Sequence, residues 1–122
     1  MKKAINFSAL AILLTVSLSV LAGRVVSNPQ VAAESYKPFQ QAVAQLRAEG
    51  FSVTNVQENP VMYLMAPEGD HFWGNISYTL TRKVGENSLI TEYVVLSVEL
   101  DWIARKNGYK AVRLLDNRTT VY

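Results

Sequence analysis

The sequence predicts an α+β protein: a two-layer sandwich of two helices on a small antiparallel sheet, in the order α-β-β-β-α-β. Three observations lead there. A helical stripe runs from Glu34 to Glu49 and stops at Gly50. A strict two-residue alternation occupies 75–82, and "LRAEGFSVTNVQEN" (46–59) shares its layout with "ARKNGYKAVRLLDN" (104–117).

In the first element, Phe39, Ala42, Val43, Leu46 and, more loosely, Tyr36 recur at spacings of three and four, which gathers them on one helix face. Ser35 is placed to cap the start, Pro38 is tolerated in the first turn, and Gly50 falls where a left-handed C-cap residue belongs. "FSVTNVQE" then alternates, with Phe51, Val53 and, after a slip, Val56 facing inward. Asn59-Pro60 reads as a turn, and "VMYLMA" as a short buried strand that Pro67 ends. In "NISYTLTR", Ile76, Tyr78 and Leu80 line one face, while Asn75, Ser77, Thr79 and Thr81 line the other. "VGEN" at 84–87 is a turn.

The next stretch carries two periods at once. Ile90, Val94, Leu96, Val98 and Leu100 alternate as a strand would. Leu89, Tyr93, Leu96, Leu100 and Ile103 also form a helical stripe, with Asn87 or Ser88 as its cap and Gly108 as its end. The internal match arbitrates. Gly50 aligns with Gly108, Phe51 with Tyr109, Val56 with Leu114, and Glu58-Asn59 with Asp116-Asn117. By that alignment 99–107 is helix, like 41–49, and both glycines take positive φ; 88–97 stays open between strand and helix. A last short strand is expected at 118–122. The two helix–strand–strand units resemble the circularly permuted ferredoxin-like repeat of some membrane-anchored secretion-system proteins. That likeness is one of topology, with no shared motif, and it implies no function.

Residues 1–22 stand apart from this domain. Lys2 and Lys3 form a positive start, Ala4 to Ala22 is an uncharged apolar run, and small residues follow, as in a bacterial signal peptide. Cleavage is expected after Ala22, with a second possible site after Ala33. The alternative is an uncleaved inner-membrane anchor through residues 4–22, which approaches the roughly 20 residues a bilayer requires. "LSVLAG" resembles a lipoprotein signal, but the residue that would carry the lipid is Arg24. The expected organisation is therefore a signal peptide at 1–22, a linker at 23–34 and one α+β domain at 35–122. That domain would work in the periplasm or outside the cell.

Charge and composition narrow the function classes. Removing residues 1–22 takes away Lys2 and Lys3 and no acid, which cancels the formal charge of +2. A neutral chain lacks the basic footprint of a nucleic-acid binder, so no nucleic-acid partner is expected. With 0 cysteines, neither a disulfide nor a thiolate nucleophile is available.

The candidate site is "EGDHFWGN" at 68–75, read as a loop between strands, with Asp70, His71, Phe72 and Trp73 as binding residues. His71 is the only histidine, and no nucleophile motif accompanies it. Glu68 and Asp70 lie near it, but one imidazole and two carboxylates within so short a span are a poor metal set. No catalytic residue, metal or cofactor is therefore assigned. Phe72 and Trp73 beside Gly74 either cover the end of the sheet or stand out as interface anchors. The expected function is a small exported, non-enzymatic module that binds an envelope or secreted protein. The alternatives are a periplasmic inhibitor or immunity protein that plugs an enzyme with this loop, and a weak hydrolase using His71.

Overall fold

The computed structural model describes residues 25–63 and 70–121. Over these residues the chain is a mixed α+β protein with two helices and a 4-stranded antiparallel sheet. Helix α1 spans Pro29–Glu34 and α2 spans Lys37–Ala48. The strands are β1 at Ser52–Tyr63, β2 at Asp70–Val84, β3 at Ile90–Ile103 and β4 at Gly108–Val121. They form a meander in sequence order, each antiparallel to the next. The expected signal segment at 1–22, its cleavage point after Ala22, and Glu68 and Gly69 lie outside the described residues.

The stretch expected as a linker contains α1. Asn28 caps it by accepting a bond from the Val31 amide at 3.1 Å, and Pro29 occupies the first turn, where its missing N–H costs nothing. Ser35 ends this helix, its hydroxyl donating to the Val31 carbonyl at 2.6 Å, and so does not cap α2 as the sequence suggested. Ala32 and Ala33 are buried in the core. Helix α2 matches its predicted stripe: Phe39 and Leu46 are buried, and Tyr36, Ala42 and Val43 pack beside them. It closes through Gly50 at φ 98, with Gly50 N–H donating to Arg47 and Phe51 N–H to Leu46, both at 3.0 Å. This Schellman closure satisfies two terminal carbonyls and folds Phe51 back against Leu46.

The sheet buries one face under the helices. Ile76, Tyr78 and Leu80 of β2 and Val94, Leu96, Val98 and Leu100 of β3 form the centre of the core. A fully buried aliphatic side chain contributes about 1.5–3 kcal/mol, so this double row is the main source of stability. Tyr78 spans the two layers, its ring 4.4 Å from Phe39 and its hydroxyl donating to Glu34 at 3.1 Å. Burial, reinforced by the Glu34 carboxylate, pushes this hydroxyl above its ordinary pKa and keeps it a donor.

Three expectations give way here. The observed order is α-α-β-β-β-β, so 99–107 is the end of β3 and a single 3-10 turn at Ala104–Lys106 instead of an α-helix, and the helix–strand–strand repeat does not form. Alternation wins over the helical stripe because β3 is flanked on both sides: β2 and β4 take its backbone bonds, and every second side chain enters the core. Likewise β1 runs through Asn59-Pro60 without turning. An edge strand tolerates a proline, and the register irregularity between Pro60 and Tyr63 absorbs it. Finally, the left-handed residue of the β3–β4 turn is Asn107 (φ 51, ψ 54), with no positive φ at Gly108. Gly108 is glycine for room: a Cβ there would lie 2.7 Å from both Val25 Cγ1 and the Val26 carbonyl. Val26 sits so close because it bridges to Tyr109, exchanging backbone bonds of 3.0 and 2.6 Å.

Candidate binding face

The residues singled out in the sequence begin β2 instead of forming a loop. Asp70 pairs with Ile103, His71 with Trp102 and Phe72 with Asp101. Between Phe72 and Gly74 the register slips by one residue, and the bulge turns Trp73 into the core. Trp73 is 8% exposed and lies edge-on to Tyr109 with ring centroids 5.3 Å apart; Trp102 meets the same tyrosine at 4.9 Å. Gly74 makes the bulge possible. Its φ is 141, and a Cβ there would lie 2.2 Å from the Asn59 carbonyl oxygen. Phe72 is half-buried.

His71 is also 8% exposed, and its Nδ1 has no hydrogen-bond partner among the described residues. A catalytic base must reach a substrate proton at about 3 Å. At 8% exposure His71 offers such a proton little open surface among the described residues. Among the described residues, no group of 3 or more His, Cys, Asp or Glu gathers as a metal site. The stretch 70–73 therefore brings together an aromatic plug for one end of the sheet, and Trp73 is unavailable as a projecting anchor.

What the fold does display is the sheet face opposite the helices. Its residues are those that alternate with the core rows, and it divides into two halves. On β1 and β2 it is a closed polar network. Asn59 Nδ2 donates to Asn75 Oδ1 at 2.9 Å and to Ser77 Oγ at 3.1 Å, while Ser77 and Ser97 hydroxyls meet at 3.3 Å. Next to it, Arg113 forks onto Glu99 at 2.9 and 3.1 Å. These groups satisfy one another.

On β3 and β4 the same face sets apolar side chains among polar ones. Tyr93 is 36% exposed, Leu115 44% and Val121 49%, with half-buried Val95 between them. The pairing explains their grouping: Tyr93 is opposite Thr119, Val95 opposite Asn117, and Thr91 opposite Val121. Sequence reasoning missed this band. In sequence Tyr93 falls in a stretch open between strand and helix, and Leu115 and Val121 belong together only once β3 and β4 are in register.

Comparison with protein-family models, curated proteins and solved structures finds no match to this chain. Among the described residues, no helix is long and apolar enough to cross a membrane.

Proposed function

We propose that this is an exported, non-enzymatic binding module that recognises an envelope or secreted protein through the outer face of β3 and β4. One observation carries the reading: Tyr93, Val95, Leu115 and Val121 share a face that no helix covers among the described residues. The solvated face of an antiparallel sheet ordinarily alternates to polar residues, as the β1–β2 half does. An aromatic and several aliphatic side chains grouped on a flat, polar-rimmed surface suit a protein partner. We take the helices and the sheet as the two layers of a sandwich, with the core between them and the binding face outside.

The export reading rests on residues 1–22. The described packing supports cleavage after Ala22 over cleavage after Ala33. The later cut would remove Val26, which bridges to Tyr109, along with the core residues Ala32 and Ala33. Mass spectrometry of the processed protein is expected to give an N-terminus at Gly23.

Binding is tested with a photo-crosslinking residue placed at Leu115 or, as a control on the polar half, at Gln57. The expected result is a crosslink to a different protein from position 115 alone. Leu115→Arg should weaken capture of that protein at least tenfold, about 1.4 kcal/mol. Equal yields from the two positions, or full binding by Leu115→Arg, would remove the proposed face.

A further inference from the structure

We propose that the protein pairs with a second copy of itself through β4, edge to edge and antiparallel, about a two-fold axis at Asn117. The inference rests on the strand edge and on the proposed cleavage after Ala22, and it needs no envelope partner.

The argument begins with which backbone groups β4 shows to the outside. Tyr109 gives both of its groups to Val26 on that side. Its neighbour Lys110, opposite Asp101, therefore faces β3. From Asp101 the same side of β3 continues through Glu99, Ser97, Val95 and Tyr93. Beyond the extra residue Val112, their partners are Arg113, Leu115, Asn117 and Thr119. Those residues bond inward. Leu114, Asp116, Arg118 and Thr120 consequently direct N–H and C=O outward. The bridge is antiparallel, so the residues that continue along β4 are those before Val26. With cleavage after Ala22 the chain starts at Gly23, and at about 3.4 Å per residue it is too short to pass Val112.

From Arg113 to Val121 the register of β4 has no irregularity and the strand has no proline. A regular edge of this kind is a template for another strand. The side chains then select the occupant. A two-fold axis normal to the sheet keeps each face on its own side, so residues of like orientation must meet. Centring the axis on Asp116 sets acid against acid, and centring it on Arg118 sets base against base. Centring it on Leu115 sets Leu114 against Asp116. Asn117 is the midpoint of the regular run, and there Asp116 of each copy faces Arg118 of the other. The outward-facing residues pair as Leu114 with Thr120 and Asp116 with Arg118, each pair able to exchange both backbone bonds.

Within its own chain, Arg118 is only loosely engaged, 3.8 Å from Glu49 and 4.0 Å from Asp116, so its guanidinium can turn to the second copy. On the outer face this register sets Leu115 beside Thr119 of the second copy and joins the two apolar bands across the axis.

The test is the mass of the purified protein by light scattering at high micromolar concentration. The wild-type protein is expected at twice the chain mass. Asp116→Lys places two cations face to face and Arg118→Glu two anions, so each variant alone should dimerise at least tenfold more weakly. Mixing the two should restore a dimer containing one of each. Hydrogen exchange adds a readout that needs no substitution: the amides of Leu114, Asp116, Arg118 and Thr120 should be protected, and lose protection on dilution. A wild-type protein at single-chain mass, dimeric single variants, a mixture that stays monomeric, or fast exchange at those four amides would each overturn the proposal.

Discussion

The two edges of the sheet are built on opposite plans. Strand β1 breaks its own regularity twice, between Val53 and Asn55 and between Pro60 and Tyr63, and Pro60 offers no N–H. Strand β4 is irregular only near its start, at Val112, where Val26 already bridges to Tyr109. From Arg113 onward nothing in its own sequence interrupts it. Natural sheets usually blunt an exposed edge with prolines, bulges or charges, because an unpaired ladder recruits other strands. Here β1 carries those devices. The regular part of β4 carries Arg113, which Glu99 of β3 engages, and Asp116 and Arg118, which are opposite in sign and so able to pair across a symmetric contact. Two edges of one sheet can therefore be assigned different tasks from their regularity, one to stay single and one to be covered.

That contrast can be broken at β1 most severely through Gly74. Alanine there meets the Asn59 carbonyl and the Pro60 Cα at 2.2 and 2.8 Å in a backbone conformation unfavourable to side chains. Because both obstacles are backbone, the strands must part. Gly74→Ala is expected to cost about 5 kcal/mol, enough to unfold much of the population at room temperature. A urea titration reads this directly, and a midpoint close to wild type would mean that the β1–β2 pairing around Pro60 is looser than described.

The next effect concerns the end of the sheet where β2 reaches across to β4. Trp73 comes from the β2 bulge and packs on Tyr109, the residue of β4 that Val26 covers. Trp73→Ala should lose about 3–4 kcal/mol by cavity formation, seen as a lower melting temperature. If melting hardly changes, Trp73 is no core residue and its candidacy as a binding anchor returns.

The smallest effect sharpens the description of β4. Gly108→Ala should cost about 2 kcal/mol, because Val25 and Val26 must move away from a new methyl group. The accompanying sign is specific: the Tyr109 amide, held by Val26 in the wild-type protein, should exchange faster while the amides facing β3 stay slow. Unchanged exchange at Tyr109 would show that the bridge does not close this end of the edge.

Much of the fold was legible because its signals are local. The α2 stripe, the closure at Gly50 and the alternation from Asn75 to Thr81 each follow from neighbours within a few residues. The glycine-centred match between 46–59 and 104–117 was a local signal too, but it misled. Glycine ends α2 because the backbone there needs a positive φ, whereas Gly108 begins a strand because Val26 lies against it. Two physical demands select one residue type, and sequence does not separate them. The candidate site suffered similarly. An aromatic pair beside a glycine looks the same whether a loop projects it or a bulge folds one ring inward.

By itself, then, the sequence determined the helical and strand periods, the cap at Gly50 and the inward set of β2, since these depend on spacing along the chain and on steric limits at single residues. Tertiary structure alone decided that 90–103 is a strand, that Trp73 and His71 are buried, and that Tyr93, Leu115 and Val121 share a face. Each of these turns on a backbone ladder between distant segments. A ladder fixes which residues stand opposite one another, and its register is set by the burial of the whole sheet at once, so no short window of the chain contains it.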